Sequence, residues 1–279
     1  MISIIIRTKN EERWIGRCLK KIKEQTIKDY EIILVDNYSE DSTIKKARLI
    51  FPKIKILMIK KFLPGLAINK GVEKSKGIFI TILSAHCIPT NKNWLKNLLK
   101  NFNDPQVAGV YGRQVPFFNS NPIDKRDLLI TFGLDKKIQK KDYFFHNANS
   151  MIRRSVWNKI PLDSKITNIE DRAWAKKVLA KNNYLIIYEP EAAVLHFHGI
   201  HQNNKTERLR NVVKIMEDMK DINYTSESDL LKNNNFNTIC LIPIQSNEFQ
   251  NTFSKKLLIK TIEKAKLSKN IKKIYILSD

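Results

Sequence analysis

The amino-terminal part of the chain alternates short apolar runs with segments of helical periodicity. Runs rich in β-branched residues predict buried strands over 2–6, 31–36, 53–59 and 78–83. Between them, apolar positions recur every three or four residues, which predicts helices over 11–27, 39–49 and 66–76. Strands and helices that alternate in this way are typical of an α/β fold, in which ligands bind at the carboxyl ends of the strands.

The pattern becomes less regular further along. It predicts strands over 107–117, 184–190 and 192–198 and helices over 94–102 and 169–180, while the polar residues 118–141 predict a loop with room for one helix. We therefore expect a main domain over 1–222, a linker over 223–236 and a β-α-β segment over 237–279. So short a segment either packs on the main domain or belongs to a longer protein.

Composition indicates a folded protein with its own core. Of its 279 residues 42% are hydrophobic, and no apolar run approaches the ~20 residues that cross a bilayer. The start of the chain lacks the features of a signal peptide, so we expect a cytoplasmic protein. Cys18, Cys87 and Cys240 have no paired spacing and indicate neither a zinc site nor a disulfide.

The net charge of +22 favours anionic partners. The lysines are spread along the chain without a nucleic-acid-binding motif, so no specific nucleic acid is expected. A nucleotide diphosphate, or the surface of a membrane at its inner face, suits the charge as well.

Polar residues follow the first two predicted strands and resemble a known pattern. Residues 7–11 read RTKNE and residues 36–43 read DNYSEDST. Helix capping explains Ser39 and Asp41 but not the position of Asp36 at a strand end. The matches, in chain order, are Thr8, Asn10, Glu11, Asp36, Ser39, Asp41 and Thr43. They resemble the nucleotide-binding half of family 2 glycosyltransferases, and the resemblance covers roughly residues 1–200.

This resemblance implies a GT-A fold, a Rossmann-like and mostly parallel sheet flanked by helices. It also implies a nucleotide-sugar donor, a glycan or lipid-linked acceptor, and contact of Asp36 with the nucleotide base. The implied donor-binding residues are Arg7, Thr8, Asn10, Glu11, Asp36, Asp41, Asn69, Ser84 and Ala85.

The segment after residue 145 resembles the acceptor and catalytic region of the same family. Glu170 and Asp171, followed by Trp174, resemble the family's catalytic element, in which the Asp is the general base of inverting members. The resemblance thus implies that Asp171 and Glu170 are the catalytic residues. Partial burial raises the pKa of a carboxylate towards the range that suits this role. The resemblance places Asn147, Asn149, Arg153 and Trp174 on the acceptor or sugar side.

The chain departs from the family where the fourth strand ends. Most members have an Asp-x-Asp element there that binds a divalent metal, Mn²⁺ or Mg²⁺, whereas this chain has Ser84, Ala85 and His86. Imidazole is a good ligand for Mn²⁺ and a poor one for Mg²⁺. His196 and His198 are two apart on a strand, so both face one way and are the candidates to complete a metal site with His86. Alternatively, the metal is lost, and His86 with nearby lysines neutralises the diphosphate.

The carboxyl-terminal segment resembles the start of a sugar nucleotidyltransferase of the acylneuraminate cytidylyltransferase type. Ile242 and Pro243 match, but Gln245, Ser246 and Asn247 replace the phosphate-binding residues, so we expect no activity from it. Two alternatives remain for the whole chain: a catalytically inactive glycosyltransferase-like binding module and a basic nucleic-acid-binding protein.

Overall fold

The computed structural model describes residues 1–198, 206–219, 238–244, 252–267 and 271–278. The chain divides into two compact units, Met1–Met219 and Lys220–Asp279. The predicted linker, 223–236, lies outside the described residues, and the predicted domain limits stay predictions.

The first unit is built from alternating strands and helices. Its strands are β1 (Ile2–Thr8), β2 (Tyr30–Asp36), β3 (Lys55–Met58), β4 (Phe79–Ser84), β5 (Cys87–Pro89), β6 (Val107–Pro116), β7 (Lys137–Gln139), β8 (Asn149–Arg153) and β9 (Leu185–His196). Its helices are α1 (Ile15–Lys23), α2 (Thr43–Ile50), α3 (Pro64–Glu73), α4 (Trp94–Leu99), α5 (Pro122–Thr131), α6 (Arg154–Lys159), α7 (Glu170–Leu179) and α8 (Thr206–Asp218). A 3-10 turn follows α4 at Lys100–Asn103.

Within residues 1–198 the strands form one mixed sheet in the order β3-β2-β1-β4-β8-β6-β9-β5, with β7 paired to β9. β1, β2, β3 and β4 are parallel, and β8 runs antiparallel between β4 and β6. β9 is parallel to β6. The strands β1, β2, β4 and β9 therefore all end at the same edge of the sheet.

Helices cover both faces of this sheet, because residues along each strand alternate between two cores. Ile4 and Ile6 pack with α1 and α4 on one face, and Ile5 packs with α3 and α7 on the other. This architecture, a mixed sheet with helices on both faces, confirms the predicted α/β fold.

The structure corrects several boundaries. Residues 118–141 contain α5, the one helix for which the pattern left room, and also β7, which it did not predict. The region after residue 145 contains β8 and α6, which it did not predict either. The strands predicted over 184–190 and 192–198 are one continuous strand, β9. Buried strands without simple alternation, such as β8, are the ones that periodicity detects least well.

The described residues of the second unit follow the predicted order of strand, helix and strand. β10 (Thr238–Ile244) pairs in parallel with β11 (Ile271–Ser278), and helix α9 (Thr252–Lys266) connects them. Gln245, Ser246 and Asn247 lie outside the described residues, so their predicted loss of phosphate binding stays a prediction.

Candidate functional site

A cavity of about 560 Å³ opens at the carboxyl edge of the sheet in the first unit. Strand ends, the start of α7 and one side of α8 line it. Among its lining residues are Arg7, Thr8, Lys9, Glu11, Asn37, Ser84, His86, His146, Glu170, Asp171, Arg172, His196 and Arg208. The cavity thus brings together residues that lie far apart in the sequence, as expected where parallel strands end.

Two buried carboxylates lie in the wall of the cavity at the first turn of α7. Asp171 accepts hydrogen bonds from the backbone N–H groups of Asn147 (2.9 Å) and Arg172 (2.9 Å). Burial raises the pKa of Asp171 above its ordinary value, although these N–H groups oppose the shift. The side chain is therefore fixed in place and a better proton acceptor than an exposed Asp.

Glu170 is held differently. Its Oε1 accepts from Asn147 Nδ2 (3.2 Å) and lies 3.4 Å from Arg7 Nη1. Burial and the neighbouring Asp171 raise the pKa of Glu170, while Arg7 and Asn147 lower it. Glu170 thus anchors Arg7 at the end of β1.

The residue before these carboxylates has an unusual backbone. Ile169 lies in the left-handed region at φ 52°, which is a genuine outlier for a β-branched side chain. Such conformations cost about 1–3 kcal/mol and concentrate at functional sites. The helix therefore starts at a strained position that sets the direction of Glu170 and Asp171.

Strand pairing explains how three histidines come together. A turn at Ala85 and His86 connects β4 to β5, and β5 pairs with the end of β9 so that Cys87 is opposite His196. The ring of His86 consequently stacks on that of His196 at 5.1 Å and contacts the edge of His198 at 5.3 Å. His86 Nδ1 lies 2.7 Å from Glu11 Oε1, so Nδ1 donates to this carboxylate.

The three histidines supply nitrogen donors suited to a metal, but the lone pairs of His86 and His196 do not converge on one point. Both ring nitrogens of His196 and Nδ1 of His198 are buried without a hydrogen-bond partner among the described residues. Burial lowers the pKa of His196 far below its ordinary value, so the ring is neutral, as a ligand must be. However, lone pairs lie in the ring plane, and the His86 and His196 planes are 5° from parallel. Accordingly, the described residues contain no group of three His, Cys, Asp or Glu arranged to hold an ion.

Several predicted donor-binding residues connect loops instead of lining the cavity. Asp36 is fully buried and accepts from the backbone N–H and hydroxyl of Ser39. Asp41 accepts from Thr43 and from the Glu12 N–H, and Asn10 Oδ1 accepts from the Glu40 N–H. These bonds fasten the loops after β1 and β2 to each other.

Other predicted residues are occupied in the core. The amide of Asn69 bonds to Trp157 and Leu162, and Ala85 is fully buried. The amide of Asn149 bonds to Trp94 and the Ala192 carbonyl. The side-chain amides of Asn69 and Asn149 already have hydrogen-bond partners, so the structure does not direct them towards a ligand.

Two residues predicted on the acceptor side also lie away from the cavity. Trp174 is buried and donates to the Ile160 carbonyl. Arg153 donates to the Val107 and Phe102 carbonyls and lies opposite Phe79, at the start of β4. Because β8 is antiparallel to β4, Arg153 lies at the amino edge of the sheet. Its position is therefore opposite the cavity edge, and its assignment to the sugar or phosphate side stays a prediction.

Sequence reasoning missed two features of the cavity. His146 Nδ1 accepts from Gln114 Nε2 (3.0 Å) and the Ala148 N–H (3.3 Å), so the proton is on Nε2. Desolvation lowers the pKa of His146 to about 3. The second feature is helix α8, which contributes Arg208 and apolar side chains to the cavity wall. The sequence of α8 shows an amphipathic pattern, but this pattern does not reveal which surface the helix covers.

Comparisons with known proteins point to one family. The family described as Glycosyl transferase family 2 matches residues 3–160. The chain is 27% identical to the O-antigen chain rhamnosyltransferase WbaN of Salmonella anatum, covering 71% of this chain and 66% of that protein. It is 28% identical to the O-antigen chain rhamnosyltransferase RfbN of Salmonella typhimurium, covering 71% and 67%. The matched region thus spans about two thirds of the length of these relatives.

Solved structures share the fold. The mannosyltransferase PcManGT from Pyrobaculum calidifontis, in complex with GDP-Man and Mn²⁺, has a TM-score of 0.60 at 18% identity, covering 80% of this chain and 65% of that one. TarS 1-349 of S. aureus with UDP-GlcNAc has a TM-score of 0.60 at 15% identity, covering 82% and 69%. Since the family matches more than half of the sequence, this chain belongs to glycosyl transferase family 2.

Proposed function

We propose that the chain transfers a sugar, with inversion, from a nucleotide-diphosphate donor to a hydroxyl of a glycan or lipid-linked acceptor. The observation that supports this most is Asp171, a buried carboxylate with a raised pKa in the wall of the cavity. In the reaction, Asp171 accepts the acceptor hydroxyl proton while that oxygen bonds to the anomeric carbon. The bond from that carbon to the phosphate oxygen breaks, and the nucleoside diphosphate leaves.

The charge of the cavity suits an anionic donor. Arg7, Lys9 and Arg208 line it together with the strand ends, and cationic groups in a partly desolvated site bind diphosphate strongly. The two relatives described above are rhamnosyltransferases of O-antigen chains, and the two solved structures have GDP-Man or UDP-GlcNAc bound. A nucleoside diphosphate hexose or deoxyhexose is therefore the donor class to screen.

A divalent ion remains a proposal for His86, His196 and His198. When bound, it would neutralise charge on the donor diphosphate. The buried nitrogens of His196 and His198 without hydrogen-bond partners among the described residues support a bound ion. Because the His86 and His196 rings are stacked, one of them would have to rotate to bind it. If the rings do not rotate, the basic side chains of the cavity neutralise the diphosphate without a metal.

An inactive binding module is the second candidate. It is favoured by the absence of carboxylates at residues 84–86 and by the Ser39 bonds that occupy Asp36. Transfer, or hydrolysis of any nucleotide sugar, would exclude it.

The decisive variant is Asp171→Asn. Asparagine keeps the shape of the side chain but cannot accept the proton, so we expect the transfer rate to fall by about 10²–10⁴-fold while donor affinity stays near that of the wild type. Initial rates and calorimetric titration with the donor measure the two effects.

Because the pKa of Asp171 is raised and the carboxylate form is active, the wild-type rate should also decline as the pH falls through that raised pKa.

Glu170→Gln is the matched control. It changes the adjacent carboxylate, which bonds to Arg7 and Asn147, and should alter donor affinity more than the rate of the chemical step. Turnover like that of the wild type in Asp171→Asn would refute the assignment of the base.

A further inference from the structure

Residues 118–141, here called the α5 surface, expose an unusual number of apolar side chains. Phe118 is 89% exposed, Ile130 76% and Leu134 72%. Ile123, Leu129 and Ile138 are exposed as well. Single exposed apolar residues are ordinary, but several within one short segment indicate an interaction surface.

The geometry of α5 shows that its outer side is apolar. The helix packs on the core through Leu128, and Phe132 follows one turn later. On the opposite side, Ile123 and Ile130 are seven residues apart and therefore share one face, with Arg126 between them. A helix that only covers a core would have polar residues there. Packing within the first unit thus leaves this face without a partner among the described residues.

Basic residues surround the apolar ones. Within 118–141 the chain has six Lys or Arg and three Asp, one of which, Asp124, is buried. Lys137, Lys140 and Lys141 are exposed at and beside the edge strand β7. Lysines on an edge strand also discourage strand pairing, which explains Lys137 but not the apolar side chains.

This combination favours one kind of partner. Apolar side chains that enter the acyl boundary and lysines at the level of anionic head groups are typical of interfacial membrane binding. A second copy of this chain would have the same positive charge and be repelled. A nucleic acid would attract the lysines but leave Phe118, Ile130 and Leu134 in water.

The α5 surface also adjoins the cavity. The ring of Phe132 lies 6.1 Å from that of His146, which lines the cavity. Ser120 Oγ donates to the Phe197 carbonyl at 2.8 Å, one residue after the cavity residue His196. A partner bound at this surface would therefore lie beside the site.

We propose that the α5 surface docks on an anionic lipid bilayer. Among the described residues, no helix is both long and apolar enough to cross a membrane. Lipid binding does not depend on catalysis. Only the further step, that a lipid-linked acceptor reaches the cavity from the bilayer, rests on the proposed function.

Vesicle co-sedimentation of the full chain tests the proposal. The wild type should bind vesicles of phosphatidylcholine mixed with phosphatidylglycerol, bind phosphatidylcholine alone weakly, and lose affinity as salt rises. The double variant Ile130→Gln/Leu134→Gln should reduce the affinity at least about tenfold. Leu49→Gln/Ile78→Gln removes side chains of similar exposure, 71% and 61%, elsewhere in the unit and should bind like the wild type.

Charge is tested separately. Lys137→Gln/Lys140→Gln/Lys141→Gln should weaken binding about 10²-fold at low salt, and much less at high salt. The control Lys53→Gln/Lys74→Gln/Lys92→Gln removes the same charge from other exposed positions.

Three outcomes would overturn the proposal. The wild type could fail to bind anionic vesicles, or each variant could lose no more affinity than its control. Thirdly, the apolar variant could change only the self-association seen in analytical ultracentrifugation, which would assign the surface to a second copy. No nucleotide sugar is present in these assays, so their failure would leave the proposed transfer activity untouched.

Discussion

Asp171 and Glu170 differ in their partners more than in their chemistry. Both are buried at the first turn of α7, but Asp171 accepts from two backbone N–H groups and Glu170 contacts Arg7. Burial raises both pKa values because water no longer solvates the charge. Arg7 contacts Glu170 directly, whereas backbone N–H groups hold Asp171, so we propose Asp171 as the group that exchanges a proton with an acceptor.

Whether the site binds a metal ion also depends on a single residue, His86. If His86 binds an ion, Mn²⁺ should strengthen binding of a nucleoside diphosphate to the wild type by about tenfold or more, and His86→Ala should remove that gain. Calorimetry of the diphosphate with and without Mn²⁺ measures it. His146→Asn is a matched control, since its amide oxygen can replace Nδ1 as the acceptor for Gln114 and Ala148. Equal affinities for wild type and His86→Ala, with and without Mn²⁺, would exclude the metal.

At the scale of elements, the direction of β8 decides what its residues do. This strand runs antiparallel between β4 and β6, so Asn149 lies near the carboxyl edge and Arg153 at the opposite one. β9 passes β6 with a register shift between Gly112 and Gln114, where Asn149 Nδ2 donates to the Ala192 carbonyl at 2.7 Å. This bond ties β8 to β9.

Gly112 is required for that approach. A Cβ at this position would lie 2.0 Å from the Ala192 carbonyl oxygen and 2.4 Å from Asn149 Nδ2. We therefore expect Gly112→Ala to lower the free energy of unfolding by about 1–3 kcal/mol, measured by urea denaturation. Gly16→Ala in α1, with nothing within 4 Å of the new Cβ, is the control and should be neutral or stabilising. Equal stability of the two variants would contradict the close contact.

At the scale of the whole molecule, the proposed site belongs to the first unit. Both cores, the cavity and α8 lie within Met1–Met219. The second unit is a small β-α-β arrangement whose strands leave Leu241, Tyr275 and Leu277 exposed. Its resemblance to a nucleotidyltransferase stays a prediction.

A chain that ends at Met219 should therefore fold and bind the donor. We expect its donor affinity to stay within about threefold of the full chain, because every cavity residue is present. Circular dichroism and calorimetric titration are the measurements. A tenfold loss of affinity in a folded truncated chain would show that the second unit contributes to the site.

The sequence by itself determined the α/β alternation and the first four strands, because apolar periodicity is a local property of the chain. It also placed Thr8, Ser84 and Asp171 at element ends, where their polar groups lie in the cavity wall. Regions without clear periodicity, such as β7, β8 and α6, were not predictable in this way.

Only the tertiary structure decided which polar residues are available to a ligand. Asn69, Asn149 and Arg153 matched a family pattern, yet their hydrogen bonds are taken up by distant backbone and side-chain groups. His86 meets His196 only because β5 pairs with β9. Hydrogen-bond satisfaction and strand pairing join residues far apart in the chain, so neither can be deduced from local sequence.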